Sequence, residues 1–409
     1  MFYIYILIVK IFIKGDCMNL KNTMAFLLMF FFILSCKSLA DSKIEQLKEV
    51  KLVSKNKSKT GIFDFTFKSN VDGAKDTFSI YLPQNYDKSK KYKLIVGLHG
   101  YSVYNKQVMV TEPIKNYADQ NDAIILGPNG RGNYFYFGKA EADIISLINW
   151  TIKNYSVDEN KIFLFGISMG GLGSLDTGLH YPDIFAGVVC IHGATGNKEP
   201  YTLTEDDNNF FNRVFSQKAF DASPEILGKN MFSIWFYENG LNLPILFIHS
   251  KDDPLVPYNE TYDMYSIMKE KNYNVDFVSY DKLGHESAKI IRQSQTQIAD
   301  FLNKYQRNSN PDTVYYKTTN NYYNKAYWVT LKLKNNNEEG FINIAKSIQN
   351  DKIAMAILEA KNLSGITIDS LIINSKNISV ENKTDIDIEI SFGKNKDVVK
   401  SKSSKDFTN

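Results

Sequence analysis

Cysteine is scarce in this 409-residue sequence: Cys17, Cys36 and Cys190 are three in all, too few for a disulfide framework, so each is read alone. No apolar run is long enough to cross a bilayer. The longest, residues 24–34, has eleven residues, against the roughly 20 a spanning helix needs. Charge of one sign is also missing. The 48 Lys and Arg against 45 Asp and Glu leave +3, and the two signs are interleaved, so no nucleic-acid footprint is present. No short repeat runs through the chain and 44% of it is hydrophobic. That excludes collagen-like, coiled-coil and wholly disordered classes and leaves an ordinary globular protein.

The eleven-residue run is the right size for the core of a signal peptide. Lys21 precedes it and Ser35-Cys36 follow. The stretch Ile33-Leu34-Ser35-Cys36 resembles a bacterial lipobox, which predicts a signal peptide over 1–35 and a lipid anchor on Cys36. Residues 1–17 sit awkwardly before that signal; Met18 opens a more compact one, so 1–17 read either as an upstream start-site overcall or as a longer apolar leader interrupted by Lys10, Lys14 and Asp16. More than one acyl chain gives firm membrane attachment, and the Lys- and Ser-rich residues 36–60 read as a flexible tether. The expected location is the bacterial cell envelope, across the inner membrane. Cys190, within an apolar run, reads as inert core.

From residue 61 the texture alternates. Phe63, Phe65 and Phe67, then Phe78, Ile80 and Leu82, repeat with a period of two and read as antiparallel strands. Continuous apolar runs follow at 94–98, 123–126, 162–165, 187–191, 244–248 and 275–280, the signature of strands covered on both faces. Helical spacing lies between them, over 258–268 and 289–305 among others. Together they predict a doubly wound, mostly parallel α/β sheet over 61–306. Residues 194–242 make one overlong, aromatic-rich connection, including Phe210, Phe211, Phe215, Phe220 and Trp235, which reads as a cap or as packing. Past residue 306, Asn-rich turns separate six short strand-like segments, 327–333, 341–345, 353–358, 366–373, 378–380 and 386–392, predicting an all-β sandwich over 310–393. The Lys-, Ser- and Asp-rich tail 394–409 is expected to be disordered.

The chemistry centres on Gly166-Ile167-Ser168-Met169-Gly170-Gly171, which follows an apolar strand and precedes a helical stretch, 172–180. A serine on a tight strand-to-helix turn needs small neighbours, because the backbone there is crowded. The pentapeptide alone is weak evidence; its context makes it a nucleophile elbow. A serine hydroxyl needs a base and an orienting acid. Five histidines are available. His99 ends a strand before a loop suited to an oxyanion, and His180 ends a helix, where an exposed or capping role suffices. His192 and His249 close apolar strands and read as structural. His285 lies in a loop between the last strand and last helix of the α/β region, at the sheet edge where ligands bind in such folds, so it is the expected base. The acid lies on the loop after the preceding strand, where Asp252 and Asp253 are both available. The order Ser168, Asp, His285 is that of an α/β-hydrolase.

These motifs resemble a known group. His99-Gly100, Gly130-Arg131-Gly132, Glu141-Ala142-Asp143, the Ser168 elbow, Tyr181-Pro182-Asp183, Asp253-Pro254-Leu255-Val256-Pro257 and Gly284-His285 look like bacterial secreted esterases of the prolyl oligopeptidase-like and polyhydroxybutyrate-depolymerase-like (feruloyl esterase-like) α/β-hydrolase group. The resemblance covers about residues 75–305, and Asn320–Val329 is similar to the C-terminal sandwich of some of these esterases. It implies Asp253 rather than Asp252 as the acid. It also implies backbone N–H groups of Met169 and Tyr101 as oxyanion donors. Two positions depart from the group: Ser250 replaces a usual Gly, and Tyr101 replaces a small residue.

The reading that follows is a membrane-anchored serine carboxylic-ester hydrolase acting through an acyl-enzyme on acetyl or feruloyl polysaccharide esters or on simple acyl esters. Tyr134, Tyr136 and Phe137 are candidate substrate-binding residues. No metal cluster, phosphate loop or nucleotide fingerprint occurs, so no cofactor is expected. Two alternatives stand beside it: a serine peptidase of the prolyl oligopeptidase family, although too few residues precede the first strand for a gating propeller, and a non-catalytic glycan-binding lipoprotein.

Overall fold

The computed structural model describes residues 47, 49–53, 59–196, 232–320, 323–336, 338–349 and 352–408. The signal peptide, Cys36, most of the tether and residues 197–231 of the candidate cap lie outside the described residues. Residues 46–409 cluster as one compact unit. Among the described residues, no helix is long and apolar enough to cross a membrane.

The first part is a nine-stranded sheet. Its strands in chain order are β1 (Val50–Leu52), β2 (Gly61–Lys68), β3 (Lys75–Leu82), β4 (Tyr92–Leu98), β5 (Ala123–Pro128), β6 (Val157–Ile167), β7 (Gly187–Ile191), β8 (Ile245–Ser250) and β9 (Val275–Tyr280). They lie side by side as β1-β2-β3-β5-β4-β6-β7-β8-β9. β1 to β3 run antiparallel, and every neighbouring pair from β5 to β9 is parallel. The β5-β4-β6 crossover is the point where strand order reverses, and open sheets bind ligands outside the strand ends at such a point.

Among the described residues, six α-helices of seven or more residues cover the sheet: α1 (Glu112–Gln120), α2 (Lys139–Asn154), α3 (Met169–His180), α4 (Tyr258–Glu270), α5 (Ser287–Gln293) and α6 (Gln295–Lys304). Tyr81 joins Tyr117 of α1 and Ile298, Phe301 and Leu302 of α6 in one buried cluster. Phe78, an odd number of residues away on the same strand, faces Trp150 of α2 instead, at 5.2 Å between ring centroids. The sheet is therefore covered on both faces, which is why its parallel strands are apolar at nearly every position. The expected helix over 289–305 is two, α5 and α6. At the break the Ser294 N–H bonds to the Ile290 carbonyl, and the Ser294 hydroxyl lies 2.9 Å from the Tyr280 hydroxyl.

Among the described residues, the second part holds ten strands: β10 (Thr313–Thr318), β11 (Lys325–Ala326), β12 (Val329–Leu333), β13 (Gly340–Gln349), β14 (Lys352–Lys361), β15 (Leu363–Ile368), β16 (Asn377–Asn382), β17 (Ile388–Phe392), β18 (Asn395–Val399) and β19 (Ser403–Thr408). They form two five-stranded sheets, β10-β13-β14-β16-β19 and β11-β12-β15-β17-β18. Both sheets send side chains into one buried cluster around Trp328, Ile344, Ile366 and Phe392.

Three expectations are corrected. Residues 50–52 belong to an edge strand rather than a tether, since Val50 to Leu52 pair with Phe67 to Phe65. Residues 370–373 form a helical turn, not a strand, because the Asp369 carboxylate accepts the Leu371 and Ile372 N–H groups and caps it. The tail is not disordered. β18 pairs with β17, and β19 pairs with β16, each anchored by one buried apolar residue, Val399 and Phe407. Its Lys, Ser and Asp residues lie on edge strands, where charge is common.

Candidate active site

Ser168 stands between the end of β6 and the first turn of α3, with φ 54° and ψ −117°. A non-glycine residue held there is strained by roughly 1–3 kcal/mol, and the surroundings show what enforces it. A Cβ on Gly166 would lie 1.9 Å from the Gly170 carbonyl oxygen, and one on Gly170 would lie 2.2 Å from that of Leu98. The motif's glycines are thus required by the approach of three backbones, and they thrust Ser168 clear of the sheet.

The imidazole of His285 spans the remaining groups. Its Nε2 lies 2.8 Å from Ser168 Oγ, and its Nδ1 lies 2.7 Å from Asp253 Oδ2. With the proton on Nδ1, the ring donates to the carboxylate and offers Nε2 to the serine hydroxyl. Asp253 Oδ1 accepts the N–H groups of Leu255 and Val256 at 2.8 and 3.0 Å. Burial pushes the Asp253 carboxyl upward, but those two N–H bonds and His285 outweigh it and hold it below the ordinary carboxylate value.

Asp252 points elsewhere. Ser250 Oγ donates to Asp252 Oδ1 at 2.6 Å and accepts the Leu283 N–H at 2.9 Å, while Asp252 Oδ1 also accepts the Gly284 N–H at 2.8 Å. These bonds pin the two residues that precede His285. The serine that departs from the resembled group therefore fastens the loop that carries the imidazole.

Two more histidines surround Asp253. His249 Nε2 lies 3.2 Å from Asp253 Oδ2, and its Nδ1 lies 2.9 Å from Thr261 Oγ1. The His192 ring stacks on His285 with centroids 3.9 Å apart and planes 15° apart. Burial lowers the pKa of both His192, to about 3, and His249. Neither was expected near the chemistry. Their place was legible all the same, because each stands at the C-terminal end of an apolar parallel strand, at the edge where the nucleophile sits.

The β4–α1 loop comes close to the nucleophile: a Cβ on Gly100 would lie 3.6 Å from Ser168 Cβ. The His99 ring lies 2.8 Å from the Gly100 carbonyl oxygen through Nδ1 and 3.1 Å from that of Asn129 through Nε2. Because a trans peptide places N–H opposite C=O, turning the Gly100 carbonyl toward His99 directs the Tyr101 N–H the other way. Met169 is the first residue of α3, where an N–H has no acceptor within the helix.

Of the expected substrate-binding aromatics, only Tyr134 is exposed. Tyr136 is buried; its hydroxyl accepts the His99 N–H at 2.8 Å, so it shores up the β4–α1 loop. Phe137 is likewise core. A charged hub fixes the segment that carries them: Arg131 bonds Asp72 at 2.9 and 3.0 Å and Asp143 at 2.7 Å. His180 is not exposed. It is fully buried against Glu141, 2.7 Å away.

His192, Asp253 and His285 bring potential metal donors within 4.8 Å of one another. Imidazole lone pairs lie in the ring plane, and two nearly parallel stacked rings cannot converge on one ion. The trio is held instead by the His285–Asp253 hydrogen bond and the His192–His285 stack.

Known enzymes are similar to this chain. The prolyl oligopeptidase family (Peptidase_S9) matches residues 127–309. The acetyl esterase of Caldicellulosiruptor saccharolyticus is 24% identical over 54% of this chain and 83% of its own. A probable acetylxylan esterase A of Aspergillus flavus is 25% identical over 35% of this chain and 42% of its own. A probable dipeptidyl-peptidase 5 of Aspergillus flavus is 25% identical over 58% of this chain and 35% of its own. The chain thus spans most of the first relative but less than half of the other two. The strand order and these matches define an α/β-hydrolase fold, and the protein is a serine hydrolase.

Proposed function

We propose that the protein is a carboxylic-ester hydrolase with Ser168 as nucleophile, His285 as general base and Asp253 as orienting acid. The observation that carries this reading is the unbroken chain of contacts at 2.8 and 2.7 Å from a strained elbow serine through one imidazole to a buried carboxylate. As Ser168 Oγ attacks the ester carbonyl, His285 Nε2 takes its proton and Asp253 balances the imidazolium. The N–H groups of Met169 and Tyr101 receive the developing oxyanion, an effect of about 3–4 kcal/mol per donor. His285 returns the proton to the departing alcohol. It then activates the water that splits the acyl-enzyme and frees the carboxylic acid. Acetyl or feruloyl esters on polysaccharide are the expected substrates. The acetyl esterase and acetylxylan esterase among the relatives support acetyl groups, and Tyr134, with the Tyr101 ring, offers an exposed aromatic rim. Residues 310–408 complete an all-β sandwich, and Cys36 carries the lipid that holds the enzyme at the bacterial envelope.

The test is hydrolysis of 4-nitrophenyl acetate and butyrate by the purified protein and by Ser168→Ala. Saturable turnover that vanishes in the variant is expected; no turnover by a folded wild type would overturn the esterase reading. The family match and the dipeptidyl-peptidase relative favour peptidase action as the second reading. Cleavage of aminoacyl-nitroanilides without ester turnover would establish it instead.

A further inference from the structure

His192 is an odd residue for its position. It follows β7 with φ 37°, a conformation an L residue adopts only under constraint. Its backbone N–H bonds to the Ile248 carbonyl at 2.8 Å, which fixes it against β8. A Cβ on the next residue, Gly193, would lie 2.4 Å from the Gly171 carbonyl carbon, so the chain has no room to relax. Backbone strain of this kind is retained where the side chain must be aimed. What it aims at is the underside of the His285 ring, 3.9 Å away.

The ring's two nitrogens face different partners. Nε2 lies 2.9 Å from Ser287 Oγ, two residues beyond His285. Among the described residues, Nδ1 is buried without a hydrogen-bond partner, and it faces Asp253 Oδ2 at 3.7 Å. That separation is too long for a hydrogen bond but close enough for a charge–dipole attraction if Nδ1 carries the hydrogen and the Ser287 hydroxyl donates to Nε2. The ring therefore meets the base on its face, the acid through Nδ1 and the base's own loop through Ser287. The charged or titratable groups facing it are His285, Asp253 and His249. Burial and the neighbouring His285 keep His192 uncharged, with a pKa of about 3, so it does not oppose an imidazolium forming above it.

We infer that His192 is a positioning residue: it stacks beneath His285 and turns Nδ1 toward Asp253, holding the imidazole in line between acid and nucleophile. A base free to swing by 1 Å loses on the order of 10²-fold in rate. A phenyl ring in the same place restores the stack without the Nδ1 dipole, so Asp253 becomes less stabilised as an anion and His285 more basic.

The inference rests on the Ser168–His285–Asp253 reading, and one set of 4-nitrophenyl acetate assays separates the two. His192→Ala is expected to lower kcat by about 10²-fold with KM within about twofold. His192→Phe, which keeps the ring volume and guards against a variant that fails to fold, should recover most of that kcat. Its kcat/KM profile should turn down at a higher pH on the acid side than the wild type does. Two results overturn the inference: kcat and acid limb unchanged in a folded His192→Ala, or a phenylalanine variant as slow as the alanine one. Turnover that survives Ser168→Ala would instead sink the triad reading, whatever the His192 variants do.

Discussion

At the scale of single residues, adjacent aspartates show how little side-chain type says and how much direction says. Asp253 lies between two backbone N–H groups and His285, while its neighbour Asp252 holds the Leu283–Gly284 peptides with Ser250. Asp253→Asn should cut kcat on the order of 10⁴-fold, since an amide favours the wrong imidazole tautomer. Asp252→Ala and Ser250→Ala should cost about tenfold, because they loosen the loop and leave the relay chemically intact. Steady-state kinetics on the three variants decides this, and near-equal losses for Asp252→Ala and Asp253→Asn would refute the assignment. Acid sensitivity follows from the same cluster. The folded chain keeps His192 neutral down to about pH 3, whereas an unfolded histidine takes up a proton near 6.5. Between those values the unfolded state binds the extra proton, so stability falls with falling pH by about 1.4 kcal/mol per unit for each such group. His249 acts in the same direction. Asp253, held low when folded, adds a loss as pH drops through the carboxylate range. Urea midpoints at pH 7.5 and pH 5 should differ strongly in the wild type and less in His192→Phe.

At the scale of elements, the α/β half was legible because burial on both faces writes itself into sequence as unbroken apolar runs. Each of the six runs named from sequence coincides with a strand of the parallel block. The elbow was legible for a related reason, since its glycines answer to backbone contacts that no other residue survives. Less was readable where one residue carries the burial. β18 and β19 expose most of their side chains and bury Val399 or Phe407 alone, so their composition imitates a frayed tail. Tyr136 and Phe137 misled for the opposite reason. Aromatics on a loop near a nucleophile suggest a pocket, yet Arg131 with Asp72 and Asp143 draws that loop inward and makes them packing. The roles of His192 and His249 depend on tertiary packing. Sequence placed each at the end of a strand, but it is the side-by-side pairing of β7, β8 and β9, with the loop after β9, that brings three imidazoles round one carboxylate.

At the scale of the whole molecule, the two parts are joined at the far end of the helix that begins at the nucleophile. Tyr316 donates to the His180 carbonyl at 2.7 Å, Tyr323 stacks on the His180 ring at 3.9 Å, and Tyr327 donates to the Pro182 carbonyl at 3.2 Å. Asn239, on the 3-10 helix Ser233–Asn242, works like an inserted strand residue. Its Oδ1 accepts the Lys317 N–H at 2.7 Å, and its Nδ2 donates to the carbonyls of Lys317 and Leu179, both at 2.9 Å. The junction is polar yet buried, and a group that loses its partner there is costly. Asn239→Ala strips a partner from three backbone groups at once, and each buried polar group left unsatisfied costs about 1–3 kcal/mol. The effect should reach the hydrolase part as well, because His180 and Leu179 close α3 and Ser168 opens it. In the wild type, esterase activity and tryptophan emission, to which the buried Trp328 contributes, should be lost together as urea rises. In Asn239→Ala both midpoints should move down in step. An activity curve left in place while emission shifts would mean that the β-sheet part unfolds on its own and lends the catalytic part no stability.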